Sequence, residues 1–379
     1  MERKDTSKNI RKSLKKIKLG ILDWYIIRQF LGTFFFSLVL ILGIAVIFDF
    51  SEKIDDFIEK QAPLKAIIFE YYLNFIPYFA TLFAPFFVFI SVIFFTSKMA
   101  VHTEIIAMQN SGMSFRRLLL PYFISAGFIA LFSFLLMNYV LPHSNIVKLD
   151  FEEKYYRGSD FRKVNVASLH RQVYPNVYIY MESYNAITQS GRNFSMEKFD
   201  DHGKLVSKMT ANMVRWDTTM NKWGAWWYYI RETDSLGERI TTGRRIDTVL
   251  NVGPNDFARS PEFVGTMTHG ELVDYIHVLK SQGSDEVKLY LNEQHKRYAS
   301  PFAFFVLTLI GVSLSSRKMK GGIGMQLGIG LVFTFSYILF MQFASQFSLK
   351  GDLNPALAMW IPNIIYTFIA LIVYRFAPK

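Results

Sequence analysis

The 379 residues contain no cysteine. Disulfide staples, thiolate nucleophiles and cysteine metal sites are therefore excluded. The seven histidines are scattered and show no metal-binding spacing. No phosphate-binding P-loop signature occurs, and no serine or lysine stands in a recognisable nucleophile setting. The chain thus offers no catalytic residue, no metal ligand and no cofactor site of its own. Charge is also missing from long stretches. Residues 30–48, 71–95, 118–141, 299–316, 323–347 and 355–374 contain no Asp, Glu, Lys, Arg or His. Runs of about twenty uncharged apolar residues match a bilayer core. Ion-coupled transporters and proton pumps place carboxylates or histidines near the midplane. Their absence argues against an intrinsic ion-driven mechanism, so the free energy for any work in the membrane must come from a partner.

What is present fits that class. Hydrophobic residues make up 51% of the chain and aromatic residues 17%. The expected fold is an integral membrane α-helical protein with six spans, three before and three after an inserted all-β, jelly-roll-like domain. Basic residues set its orientation. The two termini and the two short loops at 96–117 and 317–320 hold 17 Lys and Arg against four acids. The loop at 49–70 has three basic residues against six acidic ones, and residues 142–298 have 21 against 20. The positive-inside rule places both termini in the cytoplasm and the middle segment outside. The net charge of +11 is therefore a topology signal, and nucleic-acid binding is not expected. Residues 4–18 can also attract anionic lipid head groups. The first run is too long for a secretory signal and has no small-residue cleavage site after it, so it reads as a retained span. Pro77 and Pro85 tend to kink the second.

The organisation expected from these patterns has five parts. Residues 1–25 form a basic cytoplasmic segment, 26–141 the first three spans, and 142–266 the outer β domain. Residues 267–298 form a helical connector, and 299–379 the last three spans. In the β domain, short segments rich in β-branched and aromatic residues alternate with turn signals. Trp216, Trp223, Trp226 and Trp227 gather there, as core residues or as an acyl-chain site. The connector opens with a capping box, Thr268 followed by Glu271 three residues on. Gly324 and Gly328 form a GxxxG pair at the start of the fifth run, where a neighbouring backbone can approach.

The loop between the second and third runs holds a short amphipathic helix at about 98–112. Val101, Ile105 and Met108 share one stripe, and Glu104 lies in its first half. Gly112 ends it as a left-handed residue, and Ser114 caps the next helix. Such a helix lies at the membrane surface, and its stripe wants a partner. A plain interfacial connector fits the same residues.

Several separated segments resemble the LptF/LptG permease family of the lipopolysaccharide exporter. Leu22-Asp-Trp-Tyr-Ile-Ile-Arg28 resembles the entry to its first span. Thr103-Glu-Ile-Ile-Ala-Met-Gln-Asn-Ser-Gly-Met-Ser114 resembles its coupling helix. Met267-Thr-His-Gly-Glu-Leu-Val-Asp-Tyr-Ile276 and Glu293-Gln-His-Lys-Arg-Tyr-Ala-Ser-Pro301 resemble the approach to its fourth span. The first and third of these segments are closer to the LptG branch than to LptF. The resemblance implies a non-catalytic permease of a bacterial inner membrane that moves lipopolysaccharide from the outer leaflet. It implies an LptB-like ATPase dimer that binds the ATP and Mg, an LptF-like paralogue and an LptC-like periplasmic jelly-roll protein. Thr103, Glu104, Ile105, Met108 and Gly112 would couple to the ATPase, with Glu104 meeting a basic residue there. Phe34, Phe48, Lys53, Gly324 and Gly328 would line the lipid path or its lateral gate. Lys53 is the one basic residue close to the outer end of the first span, where relatives often carry several. Two rival readings stay open: a permease of another ABC-type lipid or lipoprotein exporter, and a membrane anchor whose β domain binds a periplasmic partner.

Overall fold

The computed structural model describes residues 19–158, 166–234, 237–250, 252–254, 257, 261–284, 286–317 and 321–377. Residues 4–18, read above as a lipid-binding extension, lie outside them, as do Lys318 and Lys320.

Among the described residues, six helices are long and apolar enough to cross a membrane. They are α1 (Ile21–Glu59), α2 (Leu64–Val101), α4 (Phe115–Tyr155), α6 (Val287–Ser315), α7 (Gly322–Lys350) and α8 (Pro355–Arg375). The short α3 (Glu104–Asn110) joins α2 to α4, and α5 (His269–Ser281) precedes α6. The protein is thus multi-pass. Most helices outrun the apolar runs that predict them. α1 spans 39 residues, because its polar end still buries Phe57 against Tyr71 and Phe151. α4 continues to Tyr155, so residues 142–155, expected in the β domain, are helix instead. Leu141, Leu149, Phe151 and Tyr155 hold that extension down by burial. α2 and α4 each contain a π-helical turn, at Ile67–Tyr72 and Leu136–Val140. Pro77 and Pro85 sit inside α2 without ending it.

α2 is the axis of the bundle. α1 and α7 both pack on it, and α6 packs on α2, α4, α7 and α8. Close approach is made by glycines that the GxxxG reading did not pick out. A Cβ on Gly311 of α6 would meet Val92 Cγ1 of α2 at 2.8 Å, and one on Gly330 of α7 would meet Ile93 and Phe89. Gly324 and Gly328 have open space where a Cβ would stand, so within this chain they admit no neighbour.

The β domain is one antiparallel sheet with strands in chain order: β1 (Val166–Tyr174), β2 (Val177–Asn185), β3 (Ser190–Phe199), β4 (Leu205–Asp217), β5 (Lys222–Asp234) and β6 (Gly237–Thr248). Sequential hairpins explain the order, and no jelly-roll crossover occurs among the described strands. A single flat sheet of this size would leave one face bare. This one is creased. Inward-facing residues normally recur every second position. Here the spacing widens to three from Met181 to Tyr184, Gly191 to Phe194, Ala211 to Val214 and Ala225 to Tyr228. Strand register does not shift across these steps. The row Ser168, Glu182, Asn193, Asn212, Trp227, Arg244 therefore forms the fold line, and both halves of the sheet face a shared core. Trp223, Tyr184, Phe194 and Phe257 fill that core, and Trp223 Nε1 donates to the Val252 carbonyl at 2.9 Å.

Candidate functional site

Lipid handling in an uncharged bundle needs an apolar wall that the protein itself leaves uncovered. α1 and α7 are the least covered spans: 22% of the most apolar window of each is buried, against 50% in α2 and in α4. They flank α2. On α1 the bare residues include Phe36, Val39, Ile47 and Phe48; on α7 they include Val332, Phe335, Phe343 and Phe347. Between them α2 carries Phe75, Phe79, Phe83 and Phe87 at four-residue intervals. Consecutive ring centroids lie 4.0, 5.9 and 6.5 Å apart. Phe79 and Phe83 are half-buried, and Phe86 meets Phe335 of α7 at 5.6 Å. Four-residue spacing puts rings on one helix face, and aromatic pairs at these distances favour each other by about 0.5–1.5 kcal/mol beyond area burial. The signal was present in the sequence as a phenylalanine periodicity and was not singled out.

The residues expected at the lipid path separate. Phe48 lies on the bare face. Phe34 is only 1% exposed and belongs to the core between α1, α2 and α4. Gly324 and Gly328 are exposed on α7. Lys53 has partners within the chain. Its ammonium pairs with Asp49 at 2.6 Å, donates to the Tyr71 hydroxyl, and lies 5.0 and 5.1 Å from the Tyr71 and Tyr156 rings. Asp49 in turn accepts from Tyr72 at 3.2 Å. This cage ties the sheet-side end of α1 to α2.

At the opposite end, α3 is shorter than expected. Lys98–Val101 continue α2, and a break at His102 and Thr103 precedes seven helical residues. Thr103 is left-handed with φ 60°, unusual for a β-branched residue. Gly112 has φ 91° and closes the helix as anticipated, and the Ser114 hydroxyl accepts from Arg117 N at 3.4 Å. The stripe, however, turns inward. Ile105 and Met108 are buried in the core with Met99, Phe115 and Leu118. Within this chain they supply the apolar support that so short a helix needs. The exposed side instead presents Val101, Thr103, Ile106, Ala107 and Gly112. Glu104 is half-buried and accepts from the Tyr25 hydroxyl of α1 at 3.4 Å.

Below Tyr25 lies a pair that the sequence reading missed. Asp23 is 2% exposed, and both its oxygens accept from Arg117, at 2.7 and 2.5 Å. Asp23 also accepts from Gly20 N at 2.7 Å, starting α1. Bidentate pairing of this kind fixes orientation as well as energy. The pair thus ties the start of α1 to the start of α4. The only sequence signal was one acid in a strongly basic segment. A second missed pair lies beyond the charge-free run of α6. Arg297 is 1% exposed, and its Nε donates to Glu293 at 3.1 Å. No group of three or more potential metal ligands occurs among the described residues.

The Thr268–Glu271 box forms as expected. The Glu271 carboxylate accepts from Thr268 N and from its hydroxyl, both at 2.8 Å. Those hydrogen bonds, the backbone one first, hold the Glu271 carboxyl below its ordinary range. Asp200 is likewise held low, chiefly by Lys204 N and also by His202 N, closing the β3–β4 turn.

Residues 24–376 match the family described as the lipopolysaccharide export system permease LptF/LptG. Similar curated proteins are the lipopolysaccharide export system permease protein LptG of Escherichia coli strain K12 and of Escherichia coli O6:H1. Each is 19% identical over 357 residues, covering 93% of this chain and 97% of the relative. The six apolar helices, the inserted antiparallel sheet and this match across most of the chain agree, and the chain belongs to the LptF/LptG permease family.

Proposed function

We propose that this chain is one permease subunit of an ATP-driven exporter that takes lipopolysaccharide from the inner membrane toward a periplasmic bridge. A second permease of the family, an LptC-like jelly-roll protein and a cytoplasmic ATPase dimer complete the machine. The chain itself is not an enzyme and needs no cofactor; ATP and Mg are bound by the ATPase. Its termini face the cytoplasm and its sheet the periplasm. The observation that carries this reading is the bare apolar surface of α1 and α7 on either side of α2, where Phe79 and Phe83 stay partly uncovered, with a short surface helix at one end. Once a lipid leaves the bilayer, such a wall keeps its acyl chains from water, where each exposed methylene would cost about 0.8 kcal/mol. The absence of a P-loop fits a subunit whose energy arrives from outside.

Coupling runs through α3. The ATPase meets its exposed side at Val101, Thr103, Ile106 and Ala107, with Glu104 at the margin. A push there reaches α1 chiefly through the Asp23–Arg117 pair at the start of α4, with the long Glu104–Tyr25 contact beside it. Both contacts lie on the span that borders the bare wall, so nucleotide-driven motion alters the lipid path directly. The test is to purify the chain with its native partners and identify the bound lipid by mass spectrometry. Lipopolysaccharide and a copurifying ATPase support the reading. A lipoprotein or only phospholipid in the cavity contradicts it.

A further inference from the structure

The crease in the sheet requires left-handed backbone on alternate strands. The residues that supply it are Ser168 on β1 (φ 54°), Asn193 on β3 (φ 48°) and Trp227 on β5 (φ 55°). Asparagine tolerates this conformation, and serine is at least small; for a bulky residue it is an outlier. Folding alone therefore gives no reason for tryptophan at the third position. Nor does packing: Trp227 is 60% exposed on the convex side, while Trp223 fills the core on the other.

The surroundings of Trp227 are specific. The Arg244 guanidinium lies 5.9 Å from its ring centre, and no carboxylate pairs with Arg244 among the described residues. Its neighbour Arg245 is different: it is neutralised by Asp247 at 2.9 Å and Asp217 at 3.2 Å. On the other side of Trp227 along the fold line, Asn212 of β4 is exposed and brings a side-chain amide to the patch. One strand further, exposed Arg192 of β3 also has no acidic partner among the described residues. Arg192 and Arg244 stand three strands apart, about 14 Å at the usual strand spacing. Between them lies an aromatic platform with one free face.

We propose that this convex patch, centred on Trp227 with Arg244 and Arg192 at its ends, binds a phosphorylated saccharide, the polar head of the lipid that the permease handles. The inference rests on the lipopolysaccharide reading above. A pyranose ring has an apolar face of C–H groups that stacks on an exposed indole, and guanidinium groups grip phosphate oxygens in pairs. An amide such as that of Asn212 both donates to and accepts from sugar hydroxyls. The groups offered, one indole between two guanidiniums with an amide beside it, are few and polar, which suits a small polar ligand. The concave side is no competitor, since Trp223, Tyr184 and Phe257 already occupy it.

The test uses the full-length protein in a non-ionic detergent and an acyl-free glucosamine disaccharide carrying two phosphates. Calorimetric titration is expected to show binding that weakens about tenfold or more in Trp227→Asn and in Arg244→Gln, the scale of one charge-assisted contact. The melting temperature of Trp227→Asn should hold or rise, because asparagine accepts the left-handed backbone. No binding by the wild type, or equal binding by both variants, overturns the proposal. So does equal binding of the dephosphorylated disaccharide, or a fall of several degrees in the melting temperature of Trp227→Asn, which would make Trp227 a fold residue. Displacement of the disaccharide by phosphatidylglycerol vesicles at matched phosphate would assign the patch to bilayer head groups instead. Failure of the broader function is separate: it is read from the lipid that copurifies with the wild type.

Discussion

Removing the Arg117 guanidinium leaves the Asp23 carboxylate buried with only Gly20 N for company. Breaking a buried pair costs about 3–5 kcal/mol, and the partial exposure of Arg117 puts this case at the lower end. Arg117→Gln should therefore lower the melting temperature clearly. A further Asp23→Asn change should add little, since it removes the stranded charge. Additive losses in thermal denaturation of the single and double variants would show that the pair is not coupled. The glycines give a second residue-scale contrast. Gly311→Ala drives a Cβ into the branched Val92 side chain and should cost about 1–3 kcal/mol. Gly324→Ala and Gly328→Ala face open space and should be neutral or slightly stabilising in the isolated chain. Both contrasts concern residues the sequence could not rank. GxxxG and GxxxxxG patterns look alike until a neighbouring helix fixes which face is inside, and Asp23 is one acid among many bases until Arg117 folds against it.

At the scale of elements, the spans were legible because twenty uncharged residues have only one stable home. Their ends were not, because α1 beyond Phe48 and α4 beyond Leu141 carry charge that pairs locally, as Lys53 does with Asp49 and Lys148 with Glu152. The strands were legible from alternation, and the crease was not, since it shows only as an isolated three-residue step in each strand. α3 was placed rightly in the loop, but its stripe was read as facing outward. A helix of seven residues can be held only by burying that stripe. The cap of α5 was fully legible, and it predicts a pH effect. Glu271 has a lowered carboxyl pKa in the folded state, so its contribution to stability is present above the unfolded value of about 4.3 and is lost as pH falls through the folded one. Protection factors of the amides at the start of α5, corrected for intrinsic exchange, should drop as pH falls through the lowered carboxyl value in the wild type and show no such step in Glu271→Gln. Thr268→Ala should destabilise the helix by about 1 kcal/mol. An unchanged exchange profile at low pH would mean the box does not secure the helix.

For the whole molecule, the absence of native cysteine makes single introduced thiols clean reporters of topology. Ser51 and Ser111 are both exposed and lie at opposite ends of the bundle. Ser51→Cys should react with an impermeant maleimide from outside intact spheroplasts, and Ser111→Cys only after lysis. In the proposed orientation α3 faces the cytoplasm, where the proposed ATPase would meet it, and its exposed margin at Glu104 is where charge reversal should act. Loss of a desolvated interfacial pair costs roughly 2–5 kcal/mol, while the Tyr25 contact is too long to hold the fold. The decisive measurement is ATP-dependent release of lipopolysaccharide from proteoliposomes containing the purified complex, with wild-type chain and with Glu104→Lys. Release that requires ATP in the wild type, and that fails in Glu104→Lys while the chain stays folded and inserted, is the predicted result. Release without ATP, or equal release from both, would contradict a permease driven through α3.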